Sequence, residues 1–247
     1  MHDAIRTSSV MIPGAGGDEI EVYLALPDGA GPFPGVVVIH HLPGFDRATK
    51  EIARRFATMG YSAATPNLYW REAPGAAPDD AAATARAAGG VPDERLVGDV
   101  RGAAAYLRAL PNANGKVGAI GFCSGGRQAF LSGIDAGVDA AVDCYGAFVT
   151  GNRPEGHPLK VVPLTDRVGE LACPVLGLFG VEDKYPSPEH VAELEQLLVE
   201  HGKTFEIHSY ADAGHAFFAV DRPSYRVAAA NDGWQRIAAF FGTHLGQ

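Results

Sequence analysis

Short apolar runs bounded by Gly or Pro recur along this chain. They alternate with longer stretches in which apolar residues return every three or four positions. The first pattern reads as strands and the second as helices. Glu19 to Leu26 alternates polar and apolar residues, as a half-exposed edge strand does. Gly35 to Ile39 (GVVVI) is apolar throughout and predicts a strand covered on both faces. Thr49 to Met59 is amphipathic and stops at Gly60, which predicts a helix. Further on, the pattern predicts strands over Tyr61 to Thr65, Lys116 to Gly121, Ala140 to Tyr145, Pro174 to Phe179 and Thr204 to Tyr210. It predicts helices over Glu94 to Leu110, Gly125 to Gly133, Glu189 to His201 and Pro223 to Leu245. Residues 70–92, rich in Ala, Gly and Pro, read as a surface excursion with one or two helical turns. Residues 146–171 read as one long loop, and loops of that length tend to carry function or motion. The βαβα order that dominates this list implies an α/β fold: a mainly parallel sheet with helices on both faces. In such sheets ligands bind beyond the carboxyl ends of the strands.

Composition narrows the picture. At 247 residues the chain suits one α/β domain spanning 1–247 and leaves little room for a second independent core. The formal net charge is −9 and no Lys/Arg cluster stands out, which argues against a nucleic acid or an anionic membrane surface as partner. The three cysteines, Cys123, Cys144 and Cys173, fit no zinc or CxxC spacing. Their odd number suggests reduced thiols and a cytoplasmic setting. The first residues, MHDAIRTSSVMIPGAGG, lack the apolar core of a signal peptide. No apolar run approaches the ~18 residues of a membrane span. No metal and no cofactor is expected, and the chain is expected to act as a monomer or homodimer on a small molecule.

The loop after Lys116 to Gly121 reads Gly121-Phe122-Cys123-Ser124-Gly125-Gly126. A small residue two positions to either side of a nucleophile is what a sharp strand-to-helix turn requires. The turn lifts the side chain above the sheet at a helix N-terminus, where an anion such as a thiolate is favoured. The Ser124 N–H then faces a developing oxyanion. Ser124 itself is the weaker nucleophile candidate, because it is Cys123 that has a Gly at both offsets. Such a nucleophile needs a base and the base an orienting group, in the chain order nucleophile, acid, histidine. After the CPVLGLFG strand come Glu182 and Asp183, and the shorter Asp183 is preferred. After the next strand comes Gly214-His215, the expected base. Of the other histidines, His208 reads as a side-facing strand residue and His190 and His201 as solvated helix positions. His157 lies in the long loop, and His2 and His244 lie near the ends.

These residues resemble the dienelactone hydrolase family of α/β-hydrolases. The likeness rests on G-x-C-x-G-G, on Asp183 after its strand, on Gly214-His215 with Phe217 behind it, and on Pro66-Asn67-Leu68-Tyr69, close to the family's Pro-Asp-Leu-Tyr. It covers the chain from about residue 20 onward. The resemblance implies Cys123 as nucleophile, Asp183 as orienter, His215 as general base, and Leu42, in His40-His41-Leu42-Pro43-Gly44, as a second backbone oxyanion donor. Where the family commonly carries a glutamate that assists the cysteine, this chain has His41, expected instead to pair with the thiolate or to contact the substrate. Arginines hold the substrate carboxylate in dienelactone-cleaving members; here one position reads Ala219, and Arg86 is a stand-in for the other. Tyr69, Trp70, Tyr145 and Phe217, with Phe45 and Phe148, are the aromatic candidates for the pocket wall. The expected reaction is cleavage of an ester or lactone through a thioester. The rivals are a broad carboxylesterase, thioesterase or phosphotriesterase on the same residues, and a non-catalytic binding protein.

Overall fold

The computed structural model describes residues 4–157 and 159–246, so His2 lies outside the described residues. Among these described residues eight strands form one sheet: β1 (Ile5–Pro13), β2 (Glu19–Pro27), β3 (Phe33–Ile39), β4 (Ser62–Pro66), β5 (Ala113–Phe122), β6 (Ala140–Cys144), β7 (Val175–Gly180) and β8 (Phe205–Tyr210). Their spatial order is β1-β2-β4-β3-β5-β6-β7-β8. The β1–β2 and β2–β4 pairs are antiparallel and all the others parallel. Among the described residues six α-helices flank the sheet: α1 (Arg47–Thr58), α2 (Pro78–Ala87), α3 (Asp93–Arg108), α4 (Ser124–Asp135), α5 (Pro188–Glu200) and α6 (Val227–Leu245), which follows the last strand.

The side-chain alternation of the strands divides the core in two. Val36, Val38, Ile120, Val142 and Leu178 face α1 and α6, where Phe56 and Phe241 are fully buried. Val37, Ile39, Ala119, Ala141 and Phe179 face α2 to α5, with Leu96, Phe130 and Leu198. Each such large side chain contributes about 1.5–3 kcal/mol by leaving water. With both faces covered, the apolar runs of β3, β5 and β7 need no polar alternation. Among the described residues no helix is long and apolar enough to cross a membrane.

Three expectations are corrected. Glu19–Pro27 is not the edge, because β1 lies outside it and pairs along its whole length. β1 is mostly solvent-facing and carries Thr7, Ser8 and Ser9, so it lacks the apolar signal of a strand. The 70–92 segment holds a ten-residue helix, α2, with Pro78 at its start and Asp79 and Asp80 in its first turn. Its buried residues are all alanines, too weak a contrast to show a helical face. The 146–171 segment includes a 3-10 turn at Thr165–Glu170 rather than loop alone.

Candidate active site

The ends of β3, β5, β7 and β8 bring four loops together. At the end of β5, Cys123 caps α4 with φ 57° and ψ −125°, a backbone region that non-glycine residues avoid. The neighbouring glycines make room for it. A Cβ on Gly121 would sit 1.9 Å from the Gly125 carbonyl oxygen, and one on Gly125 would sit 2.5 Å from the Ile39 oxygen. A Cβ on Gly126 would lie 2.2 Å from Asp143 Oδ1, so the third glycine lets α4 settle on β6. The turn is pinned by Cys123 N–H donating to the Cys144 carbonyl at 3.0 Å and Gly126 N–H to the Cys123 carbonyl at 2.9 Å. Cys123 is partly exposed, whereas Cys144 and Cys173 are buried.

Beyond β7 lies Asp183, and beyond β8 lies His215. His215 Nδ1 and Asp183 Oδ2 are 2.7 Å apart. The Asp183 side chain is 3% exposed and that of His215 37%. The second carboxylate oxygen accepts from Tyr185 N–H at 2.9 Å. Glu182 is exposed and takes no part in this bond. Burial lowers the His215 imidazolium, but hydrogen bonds to Asp183 and Cys123 and the charges of both outweigh it, pushing His215 up to about 10. The Tyr145 ring stands edge-on to His215 with centroids 5.2 Å apart and so braces the imidazole. A thiol, an imidazole and a buried carboxylate in this sequence of contacts can move a proton between sulfur and a leaving group.

The loop after β3 carries Leu42. The His41 carbonyl, which shares a peptide with the Leu42 N–H, accepts from His40 Nδ1–H at 2.9 Å and from Gly44 N–H at 2.9 Å. Tyr69 O–H donates to the Leu42 carbonyl at 2.9 Å. Burial pushes His40 down to about 4, and its Nε2 accepts from Leu68 N–H at 3.2 Å, so the ring is neutral. His41 turns to Asp46, with Nε2 and Oδ2 2.6 Å apart. Asp46 also caps α1, accepting from Thr49 N–H at 2.8 Å. His41 is thus a partner of the α1 cap.

A cavity of about 500 Å³ opens over these groups, within the size range of small-molecule sites. Leu42, Tyr69, Cys123, Ser124, Asp183 and His215 line it. His41, Trp70, Arg86, Tyr145 and Phe217 do not. Trp70 packs against the α2–α5 core. Arg86 is exposed on α2. Phe217 is fully buried among Tyr145, Tyr210 and Phe218. Phe148 lines the cavity, and Phe45 is buried beneath the Lys50 ammonium. The sequence reading missed His40, Arg127, Gln128 and Tyr185 in the wall. Arg127 is 2% exposed and forms a two-pronged pair with Asp93 at 2.8 Å. Its position two residues after Gly125, on the first turn of α4, was the available signal. His157, set aside as a loop residue, also lines the cavity, while His190 belongs to the capping box of α5 rather than to solvent. Among the described residues no group of three or more His, Cys, Asp or Glu side chains could hold a metal ion.

The sequence profile of the dienelactone hydrolase family matches residues 20–245. An Escherichia coli K12 protein named "Putative carboxymethylenebutenolidase" is 35% identical over 251 residues, covering 99% of this chain and 90% of the relative. A Bradyrhizobium protein named "Probable 2-oxo-3-(5-oxofuran-2-ylidene)propanoate lactonase" is 30% identical over 236 residues, covering 94% and 92%. The crystal structure titled "Putative Dienelactone Hydrolase" from Klebsiella pneumoniae superposes with a TM-score of 0.84 at 31% identity, covering 97% of this chain and 99% of that one.

Proposed function

This chain belongs to the dienelactone hydrolase family and is a hydrolase of ester or lactone bonds, and we propose that it cleaves them with Cys123 as nucleophile, His215 as proton carrier and Asp183 as orienter. The observation that carries this reading is the partly exposed cysteine on a strained elbow, in contact with an imidazole that is itself bonded to a buried carboxylate.

The steps follow from the atoms at hand. His215 Nε2 takes the Cys123 proton, and the imidazolium so formed is favoured by Asp183. The sulfur attacks the carbonyl carbon, and the carbonyl oxygen gathers negative charge beside the N–H groups of Leu42 and Ser124. Ser124 heads α4, whose first N–H groups have no helical acceptor. The carbon–oxygen bond to the leaving group breaks, and that oxygen takes the proton from His215. A water, deprotonated by His215, then attacks the thioester and releases the acid and the thiolate. Because water ends the cycle at a thioester, activated esters, lactones and enol esters suit the site better than amides. The requirement for a free thiol also favours a reducing, cytoplasmic compartment.

A second reading, a broad carboxylesterase or thioesterase, is favoured by the arginines. Arg86 is outside the cavity wall, position 219 is Ala, and Arg127 is already neutralised by Asp93. Replacing Cys123 by Ala should lower kcat/KM on an aryl ester and on a lactone by at least about 10³-fold. Retained hydrolysis in the variant would assign another nucleophile. Equal background rates in both proteins would remove the enzyme mechanism altogether. Comparing an uncharged aryl ester with a carboxylate-bearing lactone separates the two readings.

A further inference from the structure

We infer that His40 is a positioning residue for the oxyanion, setting the orientation of the Leu42 N–H through the carbonyl of the peptide that bears it. The inference rests on the proposed role of Leu42. The His41–Leu42 peptide is trans, so its carbonyl and its N–H point in opposite directions. Whatever fixes the carbonyl therefore fixes the donor. His40 Nδ1–H and Gly44 N–H both donate to that carbonyl, each at 2.9 Å, and Leu42 and Cys123 line the same cavity.

The ring is held at its other end as well. Its Nε2 accepts from Leu68 N–H, in the loop that follows β4, and the Tyr69 ring stands edge-on to it at 4.6 Å. Donor on one nitrogen and acceptor on the other specify a single neutral tautomer. A protonated ring would face the Leu68 N–H with a second donor, and burial, which brings His40 down to about 4, keeps it neutral. The residue is 2% exposed, so it is an internal strut between the β3 and β4 loops rather than a free acid or base. Donation into the His41 carbonyl also polarises the peptide and makes the opposite N–H a better donor.

Two substitutions separate the roles of the two nitrogens. Asn at position 40 places an amide N–H near the Nδ1 position and can still donate to the His41 carbonyl. Gln reaches the Nε2 position, can accept from Leu68 N–H, and leaves the carbonyl with one donor fewer. The expected order is kcat for His40→Asn within about 3-fold of wild type and for His40→Gln down about 10–100-fold at similar KM, approaching the loss of one oxyanion donor. Alkylation of Cys123 by iodoacetamide forms no oxyanion, so its rate should stay within about 2-fold in both variants. The reverse order of kcat, or full activity in His40→Gln, overturns the inference. So does a parallel loss of kcat and alkylation rate, which would place His40 on the thiol or on folding. If wild type lacks ester and lactone hydrolysis but is alkylated normally, the proposed function fails first and takes this inference with it.

Discussion

Cys123 holds a left-handed backbone angle that costs of order 1–3 kcal/mol, and the surrounding glycines and the Cys144 carbonyl hold it there. The strain presents one sulfur atom to one imidazole. That imidazole keeps its proton to about pH 10 because Asp183 and Cys123 outweigh its burial. The acid that protonates the leaving group should therefore remain available until alkaline pH, giving kcat/KM an alkaline limb near pH 10 in a pH–rate profile. Asp183→Asn removes the leading stabiliser of the charged ring. The limb should move to lower pH and kcat/KM should fall by roughly 10²-fold or more, since the amide also loosens the tautomer. An unmoved limb would separate Asp183 from the titration. Stability follows the same sign. The folded value lies above the ordinary 6.5, so the favourable contribution is complete below 6.5 and is lost as pH rises through about 10.

The β3–α1 connection is the element on which the oxyanion reading depends. It turns on Asp46, which accepts from Thr49 N–H at the head of α1 and from the His41 ring. Burial raises the Asp46 carboxyl, but these bonds outweigh it and bring it to about 2. Asp46→Ala should lose about 1–2 kcal/mol in denaturant melts at neutral pH, the usual cost of a helix cap. Above the ordinary 3.8 the difference from wild type should be full, and it should vanish as pH falls through about 2. A constant difference across that window would contradict the linkage. How far such elements were legible depended on local contrast. β3, β5 and β7 announced themselves as apolar runs, and the elbow was readable because its glycines and cysteine are neighbours in sequence. β1 and α2 were hidden, one by its serines and the other by its alanines. The strut formed by His40 was also out of reach, since its acceptor role depends on Leu68, which only the packing of β4 beside β3 brings near.

Across the whole molecule, most charge lies in surface pairs that contribute little. Asp99, Arg127 and Asp183 are buried but each is paired with a group of opposite charge, whereas Asp143 has no ion-pair partner among the described residues. It sits in the middle of the sheet on β6, 1% exposed, with one oxygen accepting from Gly146 N–H at 2.7 Å. Its other oxygen has no partner among the described residues. Burial pushes it up to about 7. The folded state thus holds a proton that the unfolded chain releases near 3.8, and global stability should decline as pH rises from 3.8 through 7. Asp143→Asn keeps the Gly146 acceptor and removes the charge. It should stabilise the protein at pH 8 by roughly 1–3 kcal/mol, the order of one unpaired buried polar group. It should also flatten that part of the thermal stability profile. An unchanged profile would mean that the carboxyl is solvated in the folded state.

The strand order has a consequence in time. Leu42 follows β3 and Cys123 follows β5, and the two loops meet because Ile39 lies in register with Gly121. Asp183 and His215 arrive only when β7 and β8 have joined the same edge. Parallel pairings between such distant segments close slowly, because loop entropy must be overcome before any contact forms. After dilution from denaturant, helical signal should therefore return first, and reactivity of the thiol toward an ester should return last. The chemistry of the site would then serve as a clock that reads the final stage of folding.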